Sequence, residues 1–228
     1  MTAILFSGLV LVVAVLVAIG LRRSARLGPL AVSGLLFAYL AVPGMLAAAG
    51  ALDRYTPLPA PALLVVLALT LCTVAFCFSP LGTRLAAGAS LGAVVALQAF
   101  RIPVELMLHR LHTEGIVPVQ MTYLGRNFDI LTGISGLLLG AWLLSGRSVP
   151  RQVVLAWNVL GIALLANIVI TAVLSTPVPF RRFLDQPPHT LPSTFPFVWL
   201  PSFLVQVALG SHLLVFRRLR MNKRSVAP

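Results

Sequence analysis

Seven long apolar segments alternate with short polar connections along the chain. The segments cover residues 3–21, 29–50, 61–79, 85–108, 128–145, 152–174 and 196–216. At 1.5 Å per residue, each is long enough for a helix to cross about 30 Å of hydrocarbon. A barrel is disfavoured because the apolar residues run continuously instead of alternating with polar ones. The pattern predicts an all-α integral membrane protein, with a single seven-transmembrane-helix bundle over residues 1–216 and a basic tail over residues 217–228.

The distribution of basic residues favours one orientation. Eleven Lys or Arg residues follow spans one, three, five and seven, whereas five lie in the connections on the other side. Connections rich in Lys and Arg stay in the cytoplasm, so the N-terminus is predicted outside and the C-terminus in the cytoplasm. Sixteen arginines against one lysine suggest a GC-rich genome, and the expected location is therefore the cytoplasmic (inner) membrane of a bacterium.

The composition narrows the range of partners and cofactors. The chain is 59% hydrophobic and 10% charged, with a net charge of +12. Because the basic residues are spread over the connections, membrane lipids and not nucleic acid are the expected partners. The topology resembles that of the microbial rhodopsins, but retinal needs a lysine in the last span. The only lysine is Lys223, in the tail, so retinal is excluded and the cofactor, if any, stays unassigned.

Polar residues form one stripe on the second half of span four, in the segment LQAFRIPVELMLHRLH at 97–112. At 100° per residue, Gln98, Arg101, Glu105, His109 and His112 fall within an arc of about 80°. Ionisable groups inside a span usually face the bundle interior and are candidate functional residues. The stripe therefore predicts an outward-facing polar cavity. The simpler alternative is that Arg101 snorkels from the outer leaflet, that Glu105 neutralises it, and that the histidines are interfacial.

Further polar residues are expected near the same end of span four. Arg126, Asn127 and Asp129 enter span five after a short connection, which makes spans four and five predicted neighbours. Asn127 is alternatively the N-cap of span five. Asn167 on span six is expected to join the cavity, whereas Asn158 is expected to bond one helix to another.

The proline-rich connection at 175–196 is the longest on the predicted outer side. Its arginines, Arg181 and Arg182, are flanked by phenylalanines. One interpretation is an interfacial aromatic and basic belt. The other is a rigid lid that offers arginines to an anionic group.

These residues support one leading hypothesis, that the protein binds or processes a small polar or anionic molecule or a lipid head group. Glu105 and His109 are the candidate acid–base residues. The candidate ligand-binding residues are Gln98, Arg101, His112, Arg126, Asn127, Asp129, Asn167, Arg181 and Arg182. The acidic and histidine side chains could also ligate a metal, but the nearby arginines disfavour a dense cation site.

Two other classes of function stay open. The first is a non-catalytic accessory or scaffold subunit of a membrane complex, in which the stripe is an internal structural network or docks a partner membrane protein. The second is a transporter, which ranks lower because the inner half of the bundle lacks a matching ionisable stripe. Whether the protein is an enzyme is left undecided by the sequence.

Overall fold

The computed structural model describes residues 1–56 and 58–224. Pro57 and the end of the predicted basic tail, residues 225–228, lie outside the described residues. All regular elements of the described chain are helical. The α-helices are α1 Thr2–Ser24, α2 Pro29–Ala48, α3 Pro61–Phe78, α4 Pro80–Gly88, α5 Leu91–Leu97, α6 Arg101–Thr113, α7 Asp129–Leu144, α8 Arg151–Ser175 and α9 Val205–Arg224. A π-helical turn, Leu200–Leu204, leads into α9.

Six helical segments of the described chain are long and apolar enough to cross a membrane. They are Thr2–Ser24, Pro29–Ala48, Pro61–Phe78, Leu91–Thr113, Arg151–Ser175 and Leu200–Met221. Their outward faces carry large apolar side chains, such as Leu30 and Phe37, which are 88% and 75% exposed. Apolar surface of this extent marks a lipid-facing exterior. The chain is thus an all-helical membrane protein, whose α7, in place of the predicted fifth span, is a shorter apolar helix of 16 residues.

The predicted span at 85–108 is not one continuous helix. The backbone is extended at Ala89 and Ser90, and the Ser90 hydroxyl accepts the N–H of Ala93 at 3.5 Å, which ends α4 and starts α5. A 3-10 turn at Gln98–Phe100 then joins α5 to α6, one turn before Pro103, whose ring nitrogen has no hydrogen to donate.

This break corrects the predicted depth of Arg101. The span begins at Leu91 and not near Arg84, and Arg101 lies about 15 Å along it. Arg101 is therefore near the middle of this 23-residue segment, and not toward its far end, where the simpler snorkelling interpretation needs it.

Glycines bring α5 and α7 into close contact, which confirms that predicted spans four and five are neighbours. A Cβ atom on Gly140 would lie 2.5 Å from the backbone nitrogen of Ala96. One on Gly136 would lie 3.1 Å from the carbonyl oxygen of Val95. Only a residue without a side chain permits helices to approach this closely, so this contact fixes α7 beside the polar stripe. Helix α9 packs centrally, against α3, α4, α5 and α8.

Candidate functional site

The polar stripe divides into a buried part and a half-buried part. Gln98, Arg101 and Glu105 are 1%, 2% and 2% exposed, so Arg101 does not snorkel to an interface. His109 and His112 are only half-buried. Side chains from three further helices, α7, α8 and α9, and from the connection before α7 meet the buried part. We call this set the buried network, and its members are Gln98, Arg101, Glu105, Asn127, Asp129, Asn158 and His212.

Arg101 forms the centre of the network. Its Nη1 donates to Asp129 Oδ1 at 3.0 Å, and the two side chains are 3% and 9% exposed. Its Nη2 lies 3.3 Å from Nε2 of His212. The sequence predicted that Arg101 could pair with Glu105, four residues along the same helix. The ion pair formed is instead with Asp129, the first residue of the neighbouring helix α7.

Glu105 is held by Asn127. The Asn127 side-chain nitrogen donates to Glu105 Oε1 at 2.6 Å and to the carbonyl of Met121 at 3.1 Å. Its side-chain oxygen accepts the N–H of Asp129 at 3.2 Å. The N-cap of α7 is Phe128 and not Asn127, although Asn127 still binds the first N–H group of that helix. Glu105 Oε2 is buried and has no hydrogen-bond partner among the described residues.

His212 was missed as a site residue by the sequence reasoning. Its Nδ1 lies 2.8 Å from Asn158 Oδ1, and the Asn158 side-chain nitrogen donates to the His212 carbonyl at 3.1 Å. The amide is thereby oriented with its oxygen toward the ring, so Nδ1 carries the hydrogen and Nε2 accepts from Arg101. The helix-to-helix role predicted for Asn158 is confirmed. The available signal was a single ionisable residue inside the last span.

A glycine makes room for the His212 ring. A Cβ atom on Gly161 of α8 would lie 2.4 Å from His212 Cε1. The Trp157 ring, one turn earlier on the same helix, also packs against it, with ring centroids 5.6 Å apart. Backbone and aromatic contacts therefore fix the ring plane, and with it the direction in which Nε2 faces Arg101.

The two histidines of the stripe lie outside this network. His112 Nδ1 is 2.9 Å from the carbonyl of Val117, and the His109 ring packs on Tyr123 with centroids 4.7 Å apart. Glu105 and His109, the candidate acid–base residues, form no hydrogen bond with each other among the described residues, and the bonded Glu105 oxygen accepts from Asn127. His109 Nδ1 has no partner within the described part of the chain.

Two connections close the network at this end of the bundle, and we call residues 114–128 and 176–199 together the cover. Gln120 in the first connection donates to the hydroxyl of Ser175, at the end of α8, at 2.9 Å. Gln186 in the second accepts the N–H of Val119 at 3.4 Å. These two bonds tie the first connection, which also carries Asn127, to the end of α8 and to the second connection.

The other predicted ligand residues lie in or beside the cover and not in the network. Arg126 and Arg182 are exposed. Arg126 packs over the ring of Phe183, 5.2 Å from its centroid, and Arg181 donates to the carbonyls of Phe183 and Gln186. Asn167 donates to the backbone carbonyl of Arg126 at 2.7 Å and does not reach the stripe.

The cover also buries a histidine that the sequence reasoning did not single out. His189 is 2% exposed, and neither ring nitrogen has a partner among the described residues. Its backbone N–H donates to the carbonyl of Ser175 at 2.9 Å. Burial lowers the pKa of His189 to about 4, because the charged form loses its hydration.

The fold and the network together define an α-helical membrane protein in which one closed polar network joins several helices. Residues 57–220 match a family described as a domain of unknown function (DUF8737), and the chain belongs to that family. No curated protein and no solved structure matches the chain. The matched range contains every member of the buried network, whereas α1 and α2 precede it.

Proposed function

We propose that the protein binds or processes a small polar molecule or a lipid head group at Glu105, beneath the cover. Glu105 serves as the acid–base or hydrogen-bonding residue, and Asn127 holds it in place. The protein reaches its ligand by opening the cover, which breaks the Val119–Gln186 bond between the two connections and the Gln120–Ser175 bond from the first connection to α8.

The observation that carries this proposal is the unpartnered oxygen of Glu105. A buried polar atom without a hydrogen-bond partner costs about 1–3 kcal/mol, so each one in a native structure calls for an explanation, of which a catalytic role is one. The other oxygen of the same carboxyl group is firmly bonded to Asn127 at 2.6 Å. The side chain is thus fixed in position with one oxygen free for a ligand.

The buried charges of the network and the exposed charges of the cover have different roles in this proposal. Arg101 is matched by Asp129 and is not free to hold an anion. An anionic part of the ligand is instead assigned to Arg126 and Arg182, whose exposed side chains lie on the cover. The ligand that fits this arrangement has a polar group that bonds Glu105 and an anionic group that binds the two arginines, as a lipid head group has.

The test is to identify molecules retained by the gently solubilised protein with native mass spectrometry. Wild type is compared with Glu105→Gln, which keeps the shape of the side chain but removes its acid–base chemistry. The matched control is Glu114→Gln, an exposed residue near the end of the same helical segment, bonded to Arg110. A stoichiometric molecule lost only from Glu105→Gln supports the proposal. Identical retained molecules in all three proteins would refute it.

A second function, an accessory or scaffold subunit, is favoured by a separate observation. The Arg101–Asp129 ion pair and the His212–Asn158 pair are bonded to each other inside the bundle without any ligand. A structural ion pair can be replaced by apolar residues at little cost. If Arg101→Met with Asp129→Leu leaves both stability and retained molecules unchanged, and a partner protein co-purifies, the subunit function replaces the first one.

For the topology we propose seven spans, with the N-terminus outside a bacterial inner membrane and α7 as the short fifth span. Support comes from the length of α7, about 24 Å at 1.5 Å per residue, and from the bias of basic residues. Cys72 and Cys77 are first replaced by serine. Cysteines at Ser148 and Asp185 are then labelled in whole cells with a membrane-impermeant maleimide. Labelling at Asp185 but not Ser148 is expected, and equal labelling would refute seven spans.

A further inference from the structure

A basic cleft lies at the end of the bundle away from the cover, between the end of α1 and the start of α2. Its volume is about 550 Å³, within the range of ligand-binding pockets. It is lined by Ile19, Arg22, Arg23, Arg26, Leu27, Gly28 and Pro29. The three arginines are exposed, and the remaining wall is mostly apolar.

The arginines of this cleft have no opposite charge to neutralise them. The chain has five acidic residues, Asp53, Glu105, Glu114, Asp129 and Asp185. Two of these belong to the buried network, and the other three follow α2, α6 and α8 at the far end of the bundle. The ion pairs of the described residues are Arg101–Asp129 and Arg110–Glu114. The cleft therefore carries a charge of about +3 that the described protein does not balance.

Other arginines at this end of the bundle are used differently. Arg217 donates to the carbonyls of Cys77 and Ser79, at the end of α3. Arg218 donates to the carbonyls of Ala86 and Ala87 in α4. These side chains hold neighbouring helices together, whereas the cleft arginines are turned toward open space. A role in packing accounts for the first group and not for the second.

Arg26 lies in the turn that ends α1 and lines the cleft. Arg26 has a φ of 57°. Among the described residues, it is the single residue other than glycine that has a positive φ. A left-handed conformation is unfavourable for a residue with a Cβ atom, and glycine would remove that cost. Arg26 follows Ala25, the C-cap of α1, and takes the left-handed conformation with which many helices end, so the turn that closes α1 carries one of the cleft arginines.

We propose that this cleft binds the phosphate-bearing head group of an anionic lipid. Guanidinium groups match phosphate in geometry as well as charge. The apolar wall from Ile19, Leu27 and Pro29 adjoins the lipid-facing surface of two membrane-crossing helices, so it suits an acyl chain more than a free anion. This inference does not depend on the function proposed for the buried network.

The experiment measures lipid binding to the detergent-solubilised full chain by native mass spectrometry. The probes are phosphatidylglycerol and phosphatidylcholine with identical acyl chains, with inorganic phosphate as a competitor. Each arginine near an anionic surface contributes about a five-fold effect on affinity. Replacing Arg22, Arg23 and Arg26 with glutamine is therefore expected to weaken phosphatidylglycerol binding on the order of 100-fold. Phosphatidylcholine binding should change little.

Two further variants make the result specific to the cleft. Arg84, Arg147 and Arg220 are exposed at the same end of the bundle, and replacing them with glutamine removes the same total charge without changing the cleft. Arg26→Gly alone removes one guanidinium and also the backbone strain. It is expected to melt at the same or a higher temperature, yet to bind phosphatidylglycerol about five-fold more weakly.

Three results would overturn the proposal. The first is equal wild-type affinity for the two lipids. The second is an equal loss of phosphatidylglycerol binding in the control triple variant, which would indicate a general effect of charge. The third is full displacement of phosphatidylglycerol by inorganic phosphate, which would make the cleft a site for a free anion and not for a lipid.

Discussion

Replacing Asp129 with asparagine is expected to destabilise the protein strongly, because it leaves the charge of Arg101 buried without a counterion. The two side chains are 3% and 9% exposed and 3.0 Å apart. Breaking a buried ion pair by removing one partner costs about 3–5 kcal/mol. The hydrogen bond from Arg101 to His212 stays in place but supplies no negative charge.

The same reasoning predicts a recovery when both charges are removed. Arg101→Met with Asp129→Leu replaces the pair with apolar groups, which is often neutral or stabilising. The free energy of unfolding is measured for wild type, both single variants and the double variant, by titrating detergent-solubilised protein with SDS. The expected double-mutant cycle has a coupling energy of about 3 kcal/mol or more between the two residues.

Arg110 and Glu114 provide the matched control. They form an ion pair at 3.1 Å with side chains 46% and 43% exposed, and exposed pairs of this kind are worth about 0.3–0.5 kcal/mol. If Asp129→Asn costs no more than Glu114→Gln, the buried pair does not hold the network together. A double variant as unstable as the sum of its single variants would refute the reasoning equally.

Two other predictions concern groups around the network. Gly161→Ala is expected to lower stability by about 1–3 kcal/mol, because its Cβ would lie 2.4 Å from His212 Cε1. The control is Gly8→Ala, whose Cβ would have nothing within 4 Å and which should be neutral or stabilising by up to about 1 kcal/mol. The melting temperatures of the two variants are compared with that of wild type. Folding lowers the pKa of His189 from 6.5 to about 4 and so favours its neutral form. The corresponding contribution to the free energy of unfolding, about 3 kcal/mol, is present above pH 6.5 and is lost as the pH falls toward 4. His189→Gln should flatten the fall in melting temperature across this window, and an unchanged pH profile would contradict the assignment.

The helical membrane character of the chain followed from the sequence because it depends on local properties. Apolar run length predicts helices that cross a membrane without any knowledge of their neighbours. The polar stripe could also be predicted from local sequence, because residues at helical spacing share one face of the helix whatever that face contacts. Gln98, Arg101 and Glu105 were therefore placed on one helix face before their partners were known, and the structure buries all three.

The partners could not be predicted because they are set by contacts between distant parts of the chain. Arg101 and His212 are 111 residues apart, and no periodicity within one helix specifies which helix it faces. The Arg101–Glu105 pairing assumed an isolated helix, and the closer carboxylate of Asp129 replaced it. The break before α5 was also missed, because Ser90 in an apolar run gives only a weak local signal for a helix start.

The position of Arg101 also has a consequence for biosynthesis. Its span enters the membrane with a charge near its middle, and inserting an arginine there costs about 2.5–3.5 kcal/mol. The compensating carboxylate is 28 residues further along the chain, which a ribosome adds in roughly 1–6 s. We therefore expect the segments that form α6 and α7 to be integrated together as a hairpin. The rate of translation then sets the time between synthesis of Arg101 and synthesis of Asp129.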